Sequence, residues 1–442
     1  MTAELRFFWA RLNSNYWFYP ALFALLGLAL AFTCIWLDRN GFADFLNDLE
    51  ALRPARPSSA SNLLGVIAGS MIAVASTVFS ITIVAVSFAS GNYGPRLLTN
   101  FMADKGNQLS LATFIGTFVY ALVVLRVVRE EDESPATAAA ATATALPGFV
   151  PQLSLLVAFV LMGLSVAVLV FFLNHVPSSI RINTVIEGVA SRLMREIDDF
   201  YPDKGTRDGS PPPPTGEEVT AKGAGYVQLI DFEDLHSFGT THDCDVVLRV
   251  RTGDFVHPGL PFLTVPERGW DEAQCAALRA AFHLGAARTP EQDPQFLIDE
   301  LAEIALRALS PGVNDPFTAV TALHWLGAAT AKLGNRDLVK NVCDAEEGEQ
   351  KVHPLPDDFS HYVGRGFASI RSGAASSPIA AEVMMEVLEN CAATVASPRR
   401  RERLLVEARL LMEQVSDALK GPDLREVKER YETLEQRFRG AR

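Results

Sequence analysis

The sequence predicts a membrane protein: four transmembrane helices, then a cytoplasmic α+β region made of a small β-barrel-like module and a helical bundle. Three observations carry this. The 442 residues are 49% hydrophobic and only 21% charged, with a mean hydropathy of +0.15, which is apolar for a chain of this length. Four runs, residues 20–37, 63–89, 108–128 and 150–176, are uncharged or nearly so, and each has about the 17 to 25 residues that cross a hydrocarbon core. Beyond them the apolar residues fall into amphipathic helical and short β patterns instead of unbroken runs.

Taken in order, the first span follows Tyr16, Trp17, Phe18 and Tyr19, which suit an interfacial aromatic belt, and Pro20 sits in the first helical turn, where no donor is lost. A cleavable signal peptide is not expected, because Glu4 accompanies Arg6 and Arg11, the apolar run exceeds an h-region and no A-x-A site follows. Lys and Arg near the span ends set the orientation. Arg6, Arg11, Arg96, Lys105, Arg181, Arg192 and Arg195 lie on one side, against Arg39, Arg53, Arg56 and Arg129 on the other. The bias puts both termini and the C-terminal region in the cytoplasm, and the protein in the inner membrane. The loop 129–149, with its acidic run 130–133 and Ala/Thr-rich stretch 136–145, then lies outside.

The transmembrane domain is expected over 1–178 and a connecting amphipathic helix over 179–200, with Ile182, Val185, Ile186, Val189, Leu193 and Ile197 on one stripe. A Pro- and Gly-rich linker follows over 201–224, a small β module over 225–268 and a helical domain over 269–442. Helical patterns cover 271–284, 293–309, 316–333, 359–372, 378–396, 399–419 and 424–438. The segment Gly253-Asp-Phe-Val-His-Pro-Gly-Leu-Pro resembles the turn-strand-turn of biotinyl or lipoyl-like barrels. Those barrels carry their cofactor on a lysine, and no lysine occurs between Lys222 and Lys332, so an unmodified structural module and no cofactor are expected.

A net charge of -13, from 39 basic and 52 acidic residues, argues against a nucleic-acid partner, since phosphate contacts need a dense basic face. The five cysteines, Cys34, Cys244, Cys275, Cys343 and Cys391, are scattered without a C-x-x-C pair, suggesting neither a disulfide framework nor a zinc site. No phosphate-binding loop, metalloprotease or nucleophile-elbow motif occurs, so no catalytic residue is assigned. His242-Asp243-Cys244-Asp245 would place imidazole and thiol on one face of a strand and the acids on the other, which suits a surface strand better than a metal site. His324, one turn from Val320 and Ala328, is expected to be packed in its helix.

Gly69-Ser-Met-Ile-Ala-Val-Ala-Ser-Thr-Val-Phe-Ser-Ile-Thr, Tyr93-Gly-Pro-Arg-Leu-Leu, Gly106-Asn-Gln, Gly116-Thr-Phe-Val-Tyr and Ala308-Leu-Ser-Pro-Gly-Val-Asn-Asp-Pro-Phe-Thr-Ala occur in this order. Together they resemble the bacterial predicted membrane proteins of domain-of-unknown-function family 2254, over nearly the whole chain. The resemblance implies a multi-pass inner-membrane protein with a cytoplasmic tail and no established activity.

The second span is the informative one. Ser70, Ala73, Thr77, Ser80, Val84 and Ser87 recur at intervals of three and four, placing small and hydroxyl side chains on one stripe. In one reading they let helices approach closely, the hydroxyls bonding to carbonyls. In the other, copies of the helix surround a water-filled path that Phe79 or Val84 narrows. Spans almost free of charge count against a proton relay. Arg126 either snorkels or pairs with the acidic run, or lines an anion-favouring mouth; Arg96 belongs to a helix-stopping turn, or to a hinge or headgroup site. In the soluble region, Arg307, Asn314, Asp315 and Pro316 form a helix connector in which Gly312 is expected to be left-handed, Asp315 to N-cap and Pro316 to open the next helix. Arg307 either pairs with Asp315 or binds an anion at the helix N-terminus. The resulting expectation is a homo-oligomeric passive ion channel in a lipid bilayer, with ions and further copies as partners. The alternative is a non-conducting scaffold or sensor whose cytoplasmic domain binds a ligand or partner.

Overall fold

A computed structural model describes residues 15–42, 56–94, 104–129, 149–203, 205–206, 216–340, 342 and 350–439. The chain divides into two compact units, Met1–Arg181 and Ile182–Arg442.

Among the described residues the first unit holds four helices, α1 (Phe18–Arg39), α2 (Pro57–Tyr93), α3 (Lys105–Leu125) and α4 (Gln152–Ser179), each long and apolar enough to cross a membrane. Helix α3 is central and packs on the other three. Its Gly116 meets Gly27 of α1 so closely that a Cβ on Gly27 would lie 2.5 Å from the Gly116 carbonyl oxygen, which is how small residues bring membrane helices together. Several buried polar groups pair across the unit, as suits a solvent without hydrogen bonds. Thr117 and Ser165 share a 3.1 Å bond, and Tyr120 donates to the Ser154 carbonyl at 2.9 Å. The Asp38 carboxylate caps α4, accepting from Leu153 N, Ser154 N and Ser154 Oγ at 2.9, 3.0 and 2.7 Å.

At the opposite end Asp104 caps α3 through Gly106 N at 2.8 Å and holds His175 Nε2 of α4 at 2.8 Å. A Cβ on Gly106 would lie 2.3 Å from that imidazole, so the glycine makes the room. Lys105 donates to Tyr19 at 3.3 Å and the Tyr16 ring lies 6.1 Å from Phe79. The starts of α1 and α3 are therefore level with Phe79 of α2. Helix α2 has 37 residues, and its part beyond Phe79 continues for roughly 20 Å past that level at 1.5 Å per residue.

In the second unit α5 (Ile182–Phe200) buries Ile186, Val189, Ala190, Leu193 and Ile197 against α8 (Pro294–Ala308) and α9 (Pro316–Gly334). Between them lie β1 (Glu217–Thr220), β2 (Gly225–Ile230), α6 (Phe232–Thr241), β3 (Val246–Leu248), β4 (Phe255–Val256), β5 (Pro261–Val265), α7 (Glu272–Ala280) and β6 (Phe282–Gly285), with β7 (Val352–His353) following α9. The strands form two small sheets, ordered β1-β5-β3-β7 and β4-β2-β6, antiparallel except for β3 with β7. Among the described residues they close no barrel. Their shared core contains Val219, Val227, Leu248, Phe262, Leu263 and Leu278.

Two local patterns differ from expectation. Residues 242–245 form a turn after α6 and not a strand: Asp243 is left-handed at φ 44°, and the His242 ring packs on Phe238 and Trp270 at 4.4 and 5.5 Å. The helical pattern over 271–284 ends at Ala280, after which Phe282 stacks on Phe262 at 4.4 Å and pairs with Ile230.

The remaining helices are α10 (Phe359–Val363), a π-helical turn over Gly364–Ala368, α11 (Ser369–Ala375), α12 (Pro378–Thr394), α13 (Pro398–Ala418) and α14 (Pro422–Arg439). Alanines at 319, 322, 380 and 381 are fully buried, which permits close packing of α9 on α12. Arg400 of α13, almost fully buried, donates to the carbonyls of Leu333, Gly334 and Arg336 and so caps α9.

Candidate functional site

Helix α2 is divided lengthwise. Leu64, Ile67, Ala68, Met71, Ala75, Val78, Val86 and Ala89 are buried, and α3 takes most of that stripe. Ser70, Ala73, Thr77, Ser80, Val84 and Ser87 are all exposed, on the opposite side of the helix from the buried stripe by the 3.6-residue repeat. Gly65 and Gly69 extend the exposed face, and a Cβ on either would meet nothing within 4 Å. The hydroxyls bond back along their own helix: Ser70 to the Ile67 carbonyl, Thr77 to Ala73 and Ser80 to Ser76, at 2.9 to 3.0 Å. Phe79 is 45% exposed and Val84 68%, so within one chain neither narrows a passage.

The other assigned residues are dispersed. Arg126 caps the C-terminus of α3 and is exposed; Arg96 and the acidic run lie outside the described residues. In the connector Asn314, and not Gly312, is left-handed, at φ 47°, and Asp315 N reaches the Ala308 carbonyl at 2.8 Å. The Asp315 carboxylate is engaged by Thr318 N at 3.2 Å and Thr318 Oγ1 at 2.6 Å. The expected pair with Arg307 is accordingly not formed. Pro316 opens α9, and Val313 and Phe317 beside it are exposed. His324 also departs from expectation, since it is exposed on α9.

A buried ionic core in the second unit was not foreseen from the sequence. Asp357, fully buried, accepts from Tyr201 Oη at 2.6 Å, Arg251 Nη1 at 2.9 Å and Lys340 Nζ at 2.9 Å. Burial drives its carboxyl upward, but Lys340 and Arg251 outweigh this and hold it below the ordinary value. Burial, joined by Asp357, raises the phenols of Tyr201 and Tyr362, which share a hydrogen bond. Tyr362 lies in the last turn of α10, and the π-helical turn after that helix carries Arg365, which grips Asp299 with two bonds of 2.6 and 2.8 Å. Arg288 joins Asp299 to Asp293 at 2.6 Å each. Gly253, at φ 89°, lies in the turn against this pair, and a Cβ there would be 2.2 Å from Asp293 Oδ2. His361 contacts Gln295 at 3.2 Å, and burial, with Arg251 and Arg365, lowers its pKa.

On α5, Glu196 takes Arg192 Nε at 3.0 Å, and Arg192 also binds Glu291 at 2.9 Å. The second Glu196 oxygen is buried without a hydrogen-bond partner among the described residues. Burial pushes this carboxyl up to about 7. These groups are fastened to one another, which suits joining elements more than turning over a substrate. Among the described residues no three His, Cys, Asp or Glu side chains are grouped to hold a metal. Burial raises the Cys391 thiol to about 12.

The family model for predicted membrane proteins designated DUF2254 matches residues 13–390, which takes in all four apolar helices and the ionic core. The chain belongs to the DUF2254 family. Two relatives, uncharacterized proteins of Mycobacterium tuberculosis and Mycobacterium bovis, are 30% identical over 375 residues, covering 80% of this chain and 68% of theirs. No solved structure matches the chain. Helices α13 and α14 lie beyond the residues that the DUF2254 model matches.

Proposed function

We propose that this DUF2254 protein is a homo-oligomeric passive ion channel of the inner membrane, with its second helices gathered around the symmetry axis and its termini and soluble unit in the cytoplasm. The observation that carries the reading is the exposure of the whole small-residue face of α2, from Gly65 to Ser87, away from the helices of its own chain. Such a face lets identical helices approach, and its hydroxyls can wet a path between them. The Lys and Arg bias at the span ends supports the orientation. In an oligomer Val84 on that face forms the narrow zone, whereas the Phe79 ring lies against Tyr16 of its own chain.

A second reading, a non-conducting scaffold or sensor, draws support from the same helix, because hydroxyls already bonded to their own carbonyls need no water. Flux separates the two. In proteoliposomes the channel passes ions, and Ser80→Leu or Thr77→Leu abolishes the flux while the protein still folds. A folded Ser80→Leu protein with undiminished flux rules out α2 as the pore wall, and no flux in the wild type favours the scaffold.

A further inference from the structure

Among the described residues of the second unit, six large apolar side chains are exposed: Phe255, Leu306, Val313, Phe317, Val339 and Ile379. Four of them gather at one end. Leu306 lies in the last turn of α8, Val313 in the connector and Phe317 in the first turn of α9. Ile379 lies in the first turn of α12, which runs beside α9 in the same direction: a Cβ on Gly327 would lie 2.4 Å from Val387, and one on Gly334 2.4 Å from Val395. The same distance back along each helix brings Ala319 level with Ile379. We propose that this end of the second unit rests on the lipid bilayer, with Val313 and Phe317 entering the boundary between headgroups and acyl chains.

The place where this end is tied selects lipid as its partner. Only Ile180 and Arg181 stand between the end of α4 at Ser179 and the start of α5 at Ile182, so by chain length alone α5 begins within about 10 Å of the end of an apolar spanning helix. Arg192 of α5 binds Glu291, just before α8, at 2.9 Å, and Lys332 near the end of α9 donates to the Met194 carbonyl at 3.0 Å and to Asp198 at 2.6 Å. From these anchors α8 and α9 lie back along α5, whose Ile186 is fully buried. At 1.5 Å per residue, Pro294 to Ala308 covers about 21 Å and Arg192 back to Ile182 about 15 Å. The connector therefore reaches the level at which α5 begins. Its polar groups are turned to one another, with Ser310 Oγ donating to the Arg307 carbonyl at 2.6 Å and Thr318 occupying the Asp315 carboxylate. Residues 311–314 are left exposed. Arg307 and Asp315 give this end charges of both signs, so the contact draws on apolar area, at the depth of roughly 5–10 Å that interfacial apolar faces reach. The proposal rests on α4 as a membrane span and not on ion conduction.

The test is nitroxide accessibility in the full-length protein, held in nanodiscs of phosphatidylcholine and phosphatidylglycerol. Cys34, Cys244, Cys275 and Cys391 are buried, so in a Cys343→Ser background labels are placed singly through Val313→Cys, Phe317→Cys, Ile379→Cys and, as the reference exposed further along α9, His324→Cys. The expected result is that oxygen, which concentrates among acyl chains, relaxes the labels at 313, 317 and 379 more than a water-soluble nickel chelate does, and that the order reverses at 324. Nickel prevailing at 313, 317 and 379 as at 324 puts the patch in water and overturns the proposal. Labels there that neither reagent reaches are covered by protein, a second copy included, and overturn it as well. If Phe317→Cys does not fold, Val313→Cys and Ile379→Cys give the same decision from two separate elements.

Discussion

Asp357 holds together Tyr201 from the end of α5, Arg251 from the β region and Lys340 from the segment after α9, so one carboxylate ties three parts of the second unit. Replacing it by Ala leaves two cations facing each other in a nearly dry place, and the expected loss is about 3–5 kcal/mol in urea denaturation. Glu196 makes the pH prediction. Its folded pKa of about 7 lies above its ordinary value of 4.5, so its stabilising contribution is full below about 4.5 and is lost as pH rises to about 7. That window is about 3 kcal/mol wide at about 1.4 kcal/mol per pKa unit. Thermal melts of the wild type should show this loss between about pH 4.5 and 7, and Glu196→Gln should flatten it; an unchanged pH profile in the variant contradicts the assignment. None of this core was legible in the sequence, because Tyr201 and Asp357, or Arg251 and Asp357, are more than a hundred positions apart and only the fold brings them together. The connector was legible in part. Both Gly312 and Asn314 tolerate a left-handed backbone, and the reach of Asp315 N to Ala308 O settles which one adopts it.

At the scale of elements, the four apolar helices were legible because each is a long run with a single physical explanation. The face of α2 was legible as a periodicity, but its orientation was not, since a stripe of small residues suits a contact inside the chain as well as one outside it. The β6 strand was hidden because residues 271–284 carry an unbroken amphipathic pattern, while the pairing of Phe282 with Ile230 is a tertiary preference. The contact between α1 and α3 gives the sharpest element-level prediction. Gly27→Val drives a side chain into the Gly116 backbone, and the variant should reach the membrane with much less folded protein, read as monodisperse material after detergent extraction. Asp38→Ala, which removes the cap of α4, should lower stability by about 1 kcal/mol, measured as a fall in melting temperature.

For the whole molecule, the exposed length of α2 is the feature that a single chain leaves unexplained. A helix buried on one stripe and carrying glycine, alanine and hydroxyls on the other, flanked by exposed Val66, Ile72, Ile81, Ile83 and Phe88, fits a ring of copies with lipid at its sides, whereas a helix facing only lipid has no need of a small-residue face. The measurement that tests this most directly is the subunit count of the full-length protein in lipid nanodiscs by native mass spectrometry. The account predicts a closed ring of four or more chains, with Ser80→Leu changing flux but not the fold; a monomer or a dimer at working concentration would contradict an axial pore.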